Sequence, residues 1–122
     1  MQTLDTLEVY INAKAFRKEV VKAANTFPKE EKFLLTAQTK DTARSITANI
    51  AEGYGRYHYQ EAIQFCRIAR GSFMETYDHL SSALEEEYIP EKRYLELRQQ
   101  YEQVLKLLNG YIAYLKRRKQ ED

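Results

Sequence analysis

Apolar residues recur along this chain at steps of three and four, the spacing that places them on one face of an α-helix. Prolines at Pro28 and Pro90 interrupt the pattern, and a glycine-containing connection over residues 54–60 interrupts it between them. The four uninterrupted segments predict four long helices, at about residues 5–26, 29–53, 59–87 and 91–118.

Each segment carries an apolar stripe. In the first segment the stripe holds Leu7, Ile11, Ala15, Val20 or Val21, and Ala24. In the second it holds Leu35, Thr39, Thr42, Ile46 and Ile50. In the third it holds Ala62, Phe65 or Cys66, Ala69, Phe73, Tyr77, Leu80 and Leu84. In the last it holds Tyr94, Leu97, Tyr101, Val104, Leu105, Leu108, Tyr111, Ile112 and Leu115. These stripes are expected to face one another in a common core.

Short connections force consecutive helices to run antiparallel, so the pattern predicts an all-α, up-down-up-down four-helix bundle. No linker or repeat divides the chain, and a single domain over residues 1–122 is expected. Gly71 lies in the middle of the third predicted helix, where glycine costs about 1 kcal/mol relative to alanine. Close approach of a neighbouring helix is the simplest reason for it.

Composition agrees with long helices, because the chain is 43% hydrophobic and 30% charged and contains only four glycines and two prolines. Nineteen basic and eighteen acidic residues leave a formal charge of +1, so any binding to nucleic acid needs a local cationic patch. The N-terminus does not resemble a signal peptide, and no apolar run approaches the roughly 20 residues that span a bilayer. A cytoplasmic protein without membrane contact is expected.

The residue types that carry catalysis or bind metals are sparse. Cys66 is the only cysteine, and its place in an apolar stripe predicts a buried thiol. His58 and His79 are the only histidines, and neither follows a glutamate at the three-residue spacing of the paired Glu-x-x-His units of di-iron bundles. Ser45 and Ser72 lack a nearby histidine with an orienting carboxylate. The sequence therefore predicts a non-enzymatic protein with no metal, no cofactor and no small-molecule substrate.

The most suggestive cluster combines cations and aromatic rings around the connection between the second and third helices. Its members are Arg44, Arg56, Tyr57, His58, Tyr59, Arg67 and Arg70. Arginine binds phosphate and tyrosine stacks on bases, so the cluster is a candidate binding site for single-stranded RNA. The alternative is a subunit contact in which the arginines pair with Glu52, Glu61 and Glu75.

Residues 45–56 (SITANIAEGYGR) and 65–75 (FCRIARGSFME) form two motifs at a fixed separation. Together with the Phe27-Pro28 junction and the last helix, they resemble a bacterial family of four-helix-bundle proteins. That family is named after reading frames in intervening sequences of 23S ribosomal RNA genes. The motif residues for which a structural role is expected are Asn49, Glu52, Gly53, Gly55, Gly71, Ser72 and Glu75. Asn49 and Glu52 are expected to hydrogen-bond backbone groups at the turn, and Glu52 is expected to pair with Arg56 or Arg67.

The resemblance implies assembly into a homopentamer, a role linked to RNA and no established enzymatic activity. Family members commonly carry a basic pair after the glutamine of the second helix, whereas this chain has Thr39-Lys40-Asp41 after Gln38. The leading hypothesis is a non-enzymatic homo-oligomeric scaffold or binding protein whose principal partner is itself. The alternatives are an RNA-binding protein that uses the Arg/Tyr cluster, and an enzyme with a shallow site near Glu52.

Overall fold

The computed structural model describes residues 1–121, and all regular secondary structure in this range is helical. The four long helices are α1 (Glu8–Ala24), α2 (Leu35–Tyr54), α3 (Tyr59–Glu85) and α4 (Glu91–Glu121). Two short 3-10 turns, Leu4–Thr6 and Lys29–Glu31, precede α1 and α2. The predicted all-α helical bundle is confirmed. No helix in residues 1–121 is both long and apolar enough to cross a lipid bilayer.

Each helix packs against its neighbours in sequence, and α1 also packs against α4, so that the four helices enclose one core. Along the α2–α3 interface, the Thr42 hydroxyl meets Thr76, the Ser45 hydroxyl meets Ser72, and Gly53 abuts Ala62. Positions early in α2 therefore contact positions late in α3. In this arrangement α1 and α3 lie diagonally across the bundle.

Helix α2 begins at Leu35, so the predicted start at residue 29 is wrong. Pro28 does introduce helical backbone, but only as a single 3-10 turn. Leu34 then adopts φ −119° and ψ −109°, which is not helical, and α2 begins after it. The Glu31 carboxylate accepts a hydrogen bond from the Leu35 N–H at 3.0 Å. Glu31 therefore lies outside α2 and caps its first turn.

The remaining helix ends differ from the prediction by a few residues. Residues 4–6 form a 3-10 turn, closed by the Thr6 hydroxyl accepting the Thr3 N–H at 2.8 Å, so α1 begins at Glu8. At the end of α3, the Tyr88 N–H donates to the Ala83 carbonyl at 2.8 Å. Glu87 adopts φ 61° in this Schellman-type turn, which ends α3 at Glu85. Helix α4 continues three residues beyond its predicted end.

Three aromatic side chains from three helices occupy the middle of the core. Phe16 of α1 stacks on Phe73 of α3 with ring centroids 5.7 Å apart, and Tyr101 of α4 packs against both. The ring centroids of Tyr77 and Tyr101 lie 4.9 Å apart, and the Tyr94 hydroxyl donates a 3.1 Å hydrogen bond to the Tyr77 hydroxyl. Tyr94 of α4 thus brings a hydroxyl group into the core, where it finds a polar partner in Tyr77.

The apolar stripe predicted for α1 is partly wrong. Leu7, Val20 and Ala24 are buried as predicted, but Ile11 is 48% exposed and Ala15 is also exposed. The buried face of the helix consists of Val9, Ala13, Phe16, Val20, Ala23 and Ala24. Burying Phe16, the largest apolar side chain of the helix, sets this rotation, because the hydrophobic gain grows with the apolar area removed from water. Ile11 and Ala15 are left on the outer surface.

Candidate binding surfaces

The connection between α2 and α3 places its polar and aromatic side chains at one end of the bundle. Tyr57 is 94% exposed, and its ring meets that of His58 edge-on, with centroids 5.2 Å apart. Tyr59 is half-buried and packs beneath the guanidinium of Arg118, which lies 5.9 Å from the ring centroid. The last turns of α4 therefore belong to the same surface as this connection.

Arg56 is held by two carboxylates and an aromatic ring. Its Nη2 lies 2.8 Å from Oε1 of Glu52, and its Nη1 lies 3.5 Å from Oε2 of Glu61. The guanidinium carbon stands 4.8 Å from the centroid of the Phe65 ring. The expected Glu52–Arg56 pair is therefore present, and the carboxylates of Glu52 and Glu61 largely neutralise the positive charge of Arg56.

The structure does not gather the other arginines of the predicted cluster at the α2–α3 connection. Arg70 lies within α3, where its Nη1 donates to Oδ1 of Asn109 at 2.9 Å. Arg67 is exposed and forms no ion pair within residues 1–121. Arg44 precedes Arg56 by twelve residues, about 18 Å along the helix axis, and lines a different cleft.

The polar motif residues of α2 and α3 join the two helices. The Ser45 hydroxyl lies 2.9 Å from the Ser72 hydroxyl, and the Asn49 amide donates to the Ser45 carbonyl at 2.8 Å. Asn49 therefore reaches back along its own helix and does not bond the turn, which corrects the expectation from sequence. Thr47 accepts a 2.9 Å hydrogen bond from Arg17, linking α2 to α1.

The close approach of a neighbouring helix that was predicted at Gly71 is found at another motif glycine, Gly53. Gly53 lies inside α2, where an added Cβ would stand 3.0 Å from the Cβ of Phe65 and 3.1 Å from the carbonyl oxygen of Ala62. It permits close contact with α3 and does not end the helix; Gly55 follows as the C-cap. Gly71 is exposed, and an added Cβ there would meet nothing within 4 Å. No neighbouring helix of the same chain approaches Gly71.

A cleft of about 1080 Å³ opens between the N-terminal segment, the α2–α3 connection and the second half of α4. Its aromatic lining is Tyr54, Tyr57, Tyr59, Tyr111 and Tyr114. The rings of Tyr111 and Tyr114 lie nearly parallel, with centroids 6.2 Å apart and 15° between their planes. Burial raises the pKa of Tyr111 well above its usual range. Tyr57 and Tyr59 were predicted to lie in this region, but the contribution of α4 was not, because Tyr111 fits the core stripe equally well.

Few groups in the described chain have the geometry of a reactive site. Cys66 is completely buried, and burial raises the pKa of its thiol to about 11. Within residues 1–121 no three His, Cys, Asp or Glu side chains are grouped so as to hold a metal ion. The Ser72 hydroxyl is engaged by Ser45, as described above, and Glu75 on the same helix is exposed.

Comparison with known proteins places the chain in a family. Residues 5–110 match the family model described as 23S rRNA-intervening sequence protein. Among solved structures, the chain is similar to a protein of unknown function from the S23 ribosomal protein family of Bacteroides thetaiotaomicron VPI-5482. The two are 26% identical with a TM-score of 0.79, over 85% of this chain and 97% of that one. No curated protein gives a match. Because the family model covers most of the sequence, the chain belongs to the 23S rRNA-intervening sequence protein family.

Proposed function

We propose that the chain is a non-enzymatic scaffold protein that works as a homo-oligomer, with five antiparallel four-helix bundles arranged in a ring. The pentameric state is the one that the family resemblance implies. The observation that carries the proposal is the surface around Gly71 in the middle of α3. There the exposed apolar side chains of Ile68 and Met74 flank an exposed glycine for which the single chain supplies no reason.

A mid-helix glycine costs about 1 kcal/mol relative to alanine, and in the single chain nothing offsets this cost at Gly71. A second helix that packs directly across Gly71 offsets it, because the missing side chain lets the two backbones come close. Gly53 shows the same effect inside the bundle, where the helix that approaches it is α3 of the same chain. At Gly71 the approaching helix belongs to another copy.

The residues around Gly71 suit such a contact. Ile68 and Met74, three residues before and after it, are 53% and 54% exposed. Arg67 and Glu75, four residues before and after it, are exposed and form no ion pair within residues 1–121. Apolar side chains next to the glycine and unpaired charges of both signs around it match the anatomy of a protein interface.

A ring also needs a second, different face on each copy, because cyclic assembly beyond a dimer joins unlike surfaces. The diagonally opposite helix α1 offers one. Its outer surface carries Ile11 and Ala15, the residues whose exposure departs from the predicted stripe. We assign this α1 surface as the partner of the Gly71 face.

The non-enzymatic part of the proposal rests on how the reactive groups are used. The hydroxyls of Ser45 and Ser72 bond each other, the Cys66 thiol is buried, and the Glu52 carboxylate is paired with Arg56. Each of these groups is either engaged by a neighbouring side chain or buried in the bundle. A cleft of about 360 Å³ does lie at Glu52 and Arg56, but the ion pair between these two residues engages the Glu52 carboxylate and favours a structural role for it.

The rival function is RNA binding through the Arg/Tyr cluster at the α2–α3 connection. It is less well supported, because Arg56 is balanced by Glu52 and Glu61 and the other arginines lie elsewhere. Only exposed Tyr57 and half-buried Tyr59 remain in place for stacking on bases.

Light scattering after size-exclusion chromatography tests the proposal, with absorbance at the nucleic-acid wavelength recorded beside the mass. The wild-type protein is expected to elute at five times the mass of one chain, free of nucleic acid and unchanged by salt. Gly71→Gln is expected to lower the mass, because the new side chain occupies the contact. A monomeric wild-type protein overturns the proposal, and RNA that is retained at low salt and lost in Arg56→Ala supports the rival.

Gly110→Gln is the matched control. Gly110 is also exposed within a helix, and an added Cβ there meets nothing within 4 Å. Both substitutions are compatible with the folded single chain, so circular dichroism should show unchanged helix content. If the two variants keep the wild-type mass equally well, Gly71 is not at an interface.

A further inference from the structure

A second cleft, of about 500 Å³, lies beside the α1–α2 connection and the first half of α2. Its walls include Phe27 and Pro28 of the connection and Ala37 of α2. It is separate from the tyrosine-lined cleft, with which it shares no lining residue. Its lining includes Arg44, one of the three arginines of the predicted Arg/Tyr cluster that lie away from the α2–α3 connection.

Positive charge is concentrated around this cleft. Four of its lining residues are cationic: Lys29, Lys32, Lys40 and Arg44. None of the four forms an ion pair within residues 1–121. One carboxylate, that of Asp41, also lines the cleft. Four cations against one anion make a local site for negative charge in a protein whose overall formal charge is only +1.

A hydroxyl without a partner lies in the wall of the same cleft. Thr36 is only 7% exposed. Its Oγ1 atom is buried and has no hydrogen-bond partner within residues 1–121. Other hydroxyls of α2 are satisfied, as Thr39 shows by donating to the Leu35 carbonyl at 2.7 Å. Leaving a buried hydroxyl unpaired is costly, and a bound acceptor in the cleft would remove that cost.

An exposed aromatic ring completes the site. Phe33 lines the cleft and is 83% exposed, which is unusual for a large apolar side chain. The ammonium group of Lys32 lies 5.4 Å from the centroid of its ring. A planar base can stack on the exposed ring while the neighbouring ammonium group contacts a phosphate, the combination by which proteins hold single-stranded nucleic acids.

We propose that this cleft binds a nucleotide, with the base stacked on Phe33, the phosphate held by Lys40 and Arg44, and the Thr36 hydroxyl donating to a phosphate oxygen. The nucleotide is either free in solution or part of a single-stranded RNA. This site goes beyond the scaffold function and does not depend on it, since its walls all come from one chain.

Asp41 has a defined place in this scheme. Its carboxylate opposes the binding of an anion, so it limits the affinity of the cleft for phosphate. Neutralising it should therefore strengthen binding, whereas neutralising Lys40 and Arg44 should weaken it. A cleft that bound a cation through Asp41 would respond to both changes in the opposite direction.

Isothermal titration calorimetry at low salt tests the proposal with three probes: inorganic phosphate, AMP and a short oligoadenylate. AMP and the oligoadenylate should bind the wild-type protein. The paired substitution Lys40→Gln with Arg44→Gln should weaken binding of AMP and the oligoadenylate by about tenfold or more and reduce the salt dependence of RNA binding. Asp41→Asn should strengthen the binding of AMP and the oligoadenylate severalfold. The paired substitution Lys18→Gln with Lys92→Gln removes the same charge away from the cleft and should change affinity little.

Thr36→Val gives the most specific readout. Valine keeps the shape but removes the unpaired hydroxyl, so the free protein should unfold at a higher urea concentration while AMP binds less tightly. A hydroxyl with a purely structural role would not produce these two changes together.

The probes also distinguish the two sources of the nucleotide. An oligoadenylate that binds far more tightly than AMP identifies an RNA strand, and equal affinities identify a free nucleotide. The proposal is overturned if none of the probes binds, or if binding survives the Lys40/Arg44 substitutions unchanged. The mass from light scattering, measured on the same variants, reports the scaffold function separately.

Discussion

Gly53 of α2 faces Phe65 of α3 so closely that a Cβ on the glycine would stand 3.0 Å from the Cβ of Phe65. The carbonyl oxygen of Ala62 lies almost as near, at 3.1 Å from the same position. The tip of a side chain can rotate away from such a contact, but a Cβ atom and a backbone carbonyl held within a helix cannot. The distance between α2 and α3 at this level therefore depends on the absence of a side chain.

Gly53→Ala is expected to destabilise the protein. Alanine gains about 1 kcal/mol of helix propensity, but overpacking against backbone atoms costs about 1–3 kcal/mol, so a net loss of about 1 kcal/mol is expected. Urea unfolding followed by circular dichroism measures it. Gly110→Ala is the control, because the space around Gly110 is open and alanine should stabilise that helix by about 1 kcal/mol. Equal effects of the two substitutions would contradict the packing argument.

The helices of this fold follow from sequence periodicity, and most of the buried face of α3 does too. Cys66, Ala69, Phe73 and Leu80 are buried as their spacing predicts. The phase of α1 was not predictable in the same way, because two adjacent stripes are both apolar and only the partners of Phe16 in other helices decide between them. The start of α2 was missed for a related reason: a proline permits a helical turn but does not determine how far it continues.

The candidate sites were less predictable than the fold. Residues 56–59 adjoin one another in sequence and stay together in the structure, whereas Arg44, Arg67 and Arg70 were grouped with them only by residue type. Their positions along rigid helices separate them by several turns. The cleft beside Phe33 was not identified, because its cations come from both sides of the irregular segment before α2. That segment was interpreted as part of a continuous helix.

Glu87→Gly is expected to stabilise the protein. Glu87 holds φ at 61°, a left-handed conformation that costs a residue with a side chain about 1 kcal/mol and that glycine adopts freely. The turn that requires it is fixed by the hydrogen bonds from Glu87 and Tyr88 back to Leu84 and Ala83. The free energy of unfolding in urea should rise by somewhat less than 1 kcal/mol, because glycine also gains freedom in the unfolded chain.

The neighbouring position supplies the control for that substitution. Glu86 adopts φ −81° and ψ 0°, which any residue tolerates, so Glu86→Gly should only increase the freedom of the unfolded chain. It is expected to lower the stability. If Glu87→Gly raises the free energy of unfolding and Glu86→Gly lowers it, the effect comes from backbone conformation. It cannot come from the loss of one negative charge, because both variants lose one.

The ion pair between Glu19 and Arg93 links α1 to the start of α4 and should make part of the stability depend on pH. The Arg93 Nη2 donates to Oε1 of Glu19 at 2.9 Å, and this hydrogen bond holds the pKa of the Glu19 carboxyl below its usual value of 4.5. The folded state therefore favours the ionised form, so the contribution is fully present above pH 4.5 and disappears as the pH falls through the lowered pKa. A double-mutant cycle with Glu19→Gln and Arg93→Met isolates the pair, whose coupling energy should be below about 1 kcal/mol at pH 7 because both side chains are partly exposed. The coupling energy should vanish in acid. If it is the same at pH 7 and at a pH well below the pKa of the Glu19 carboxyl, the two side chains interact through packing and not through charge.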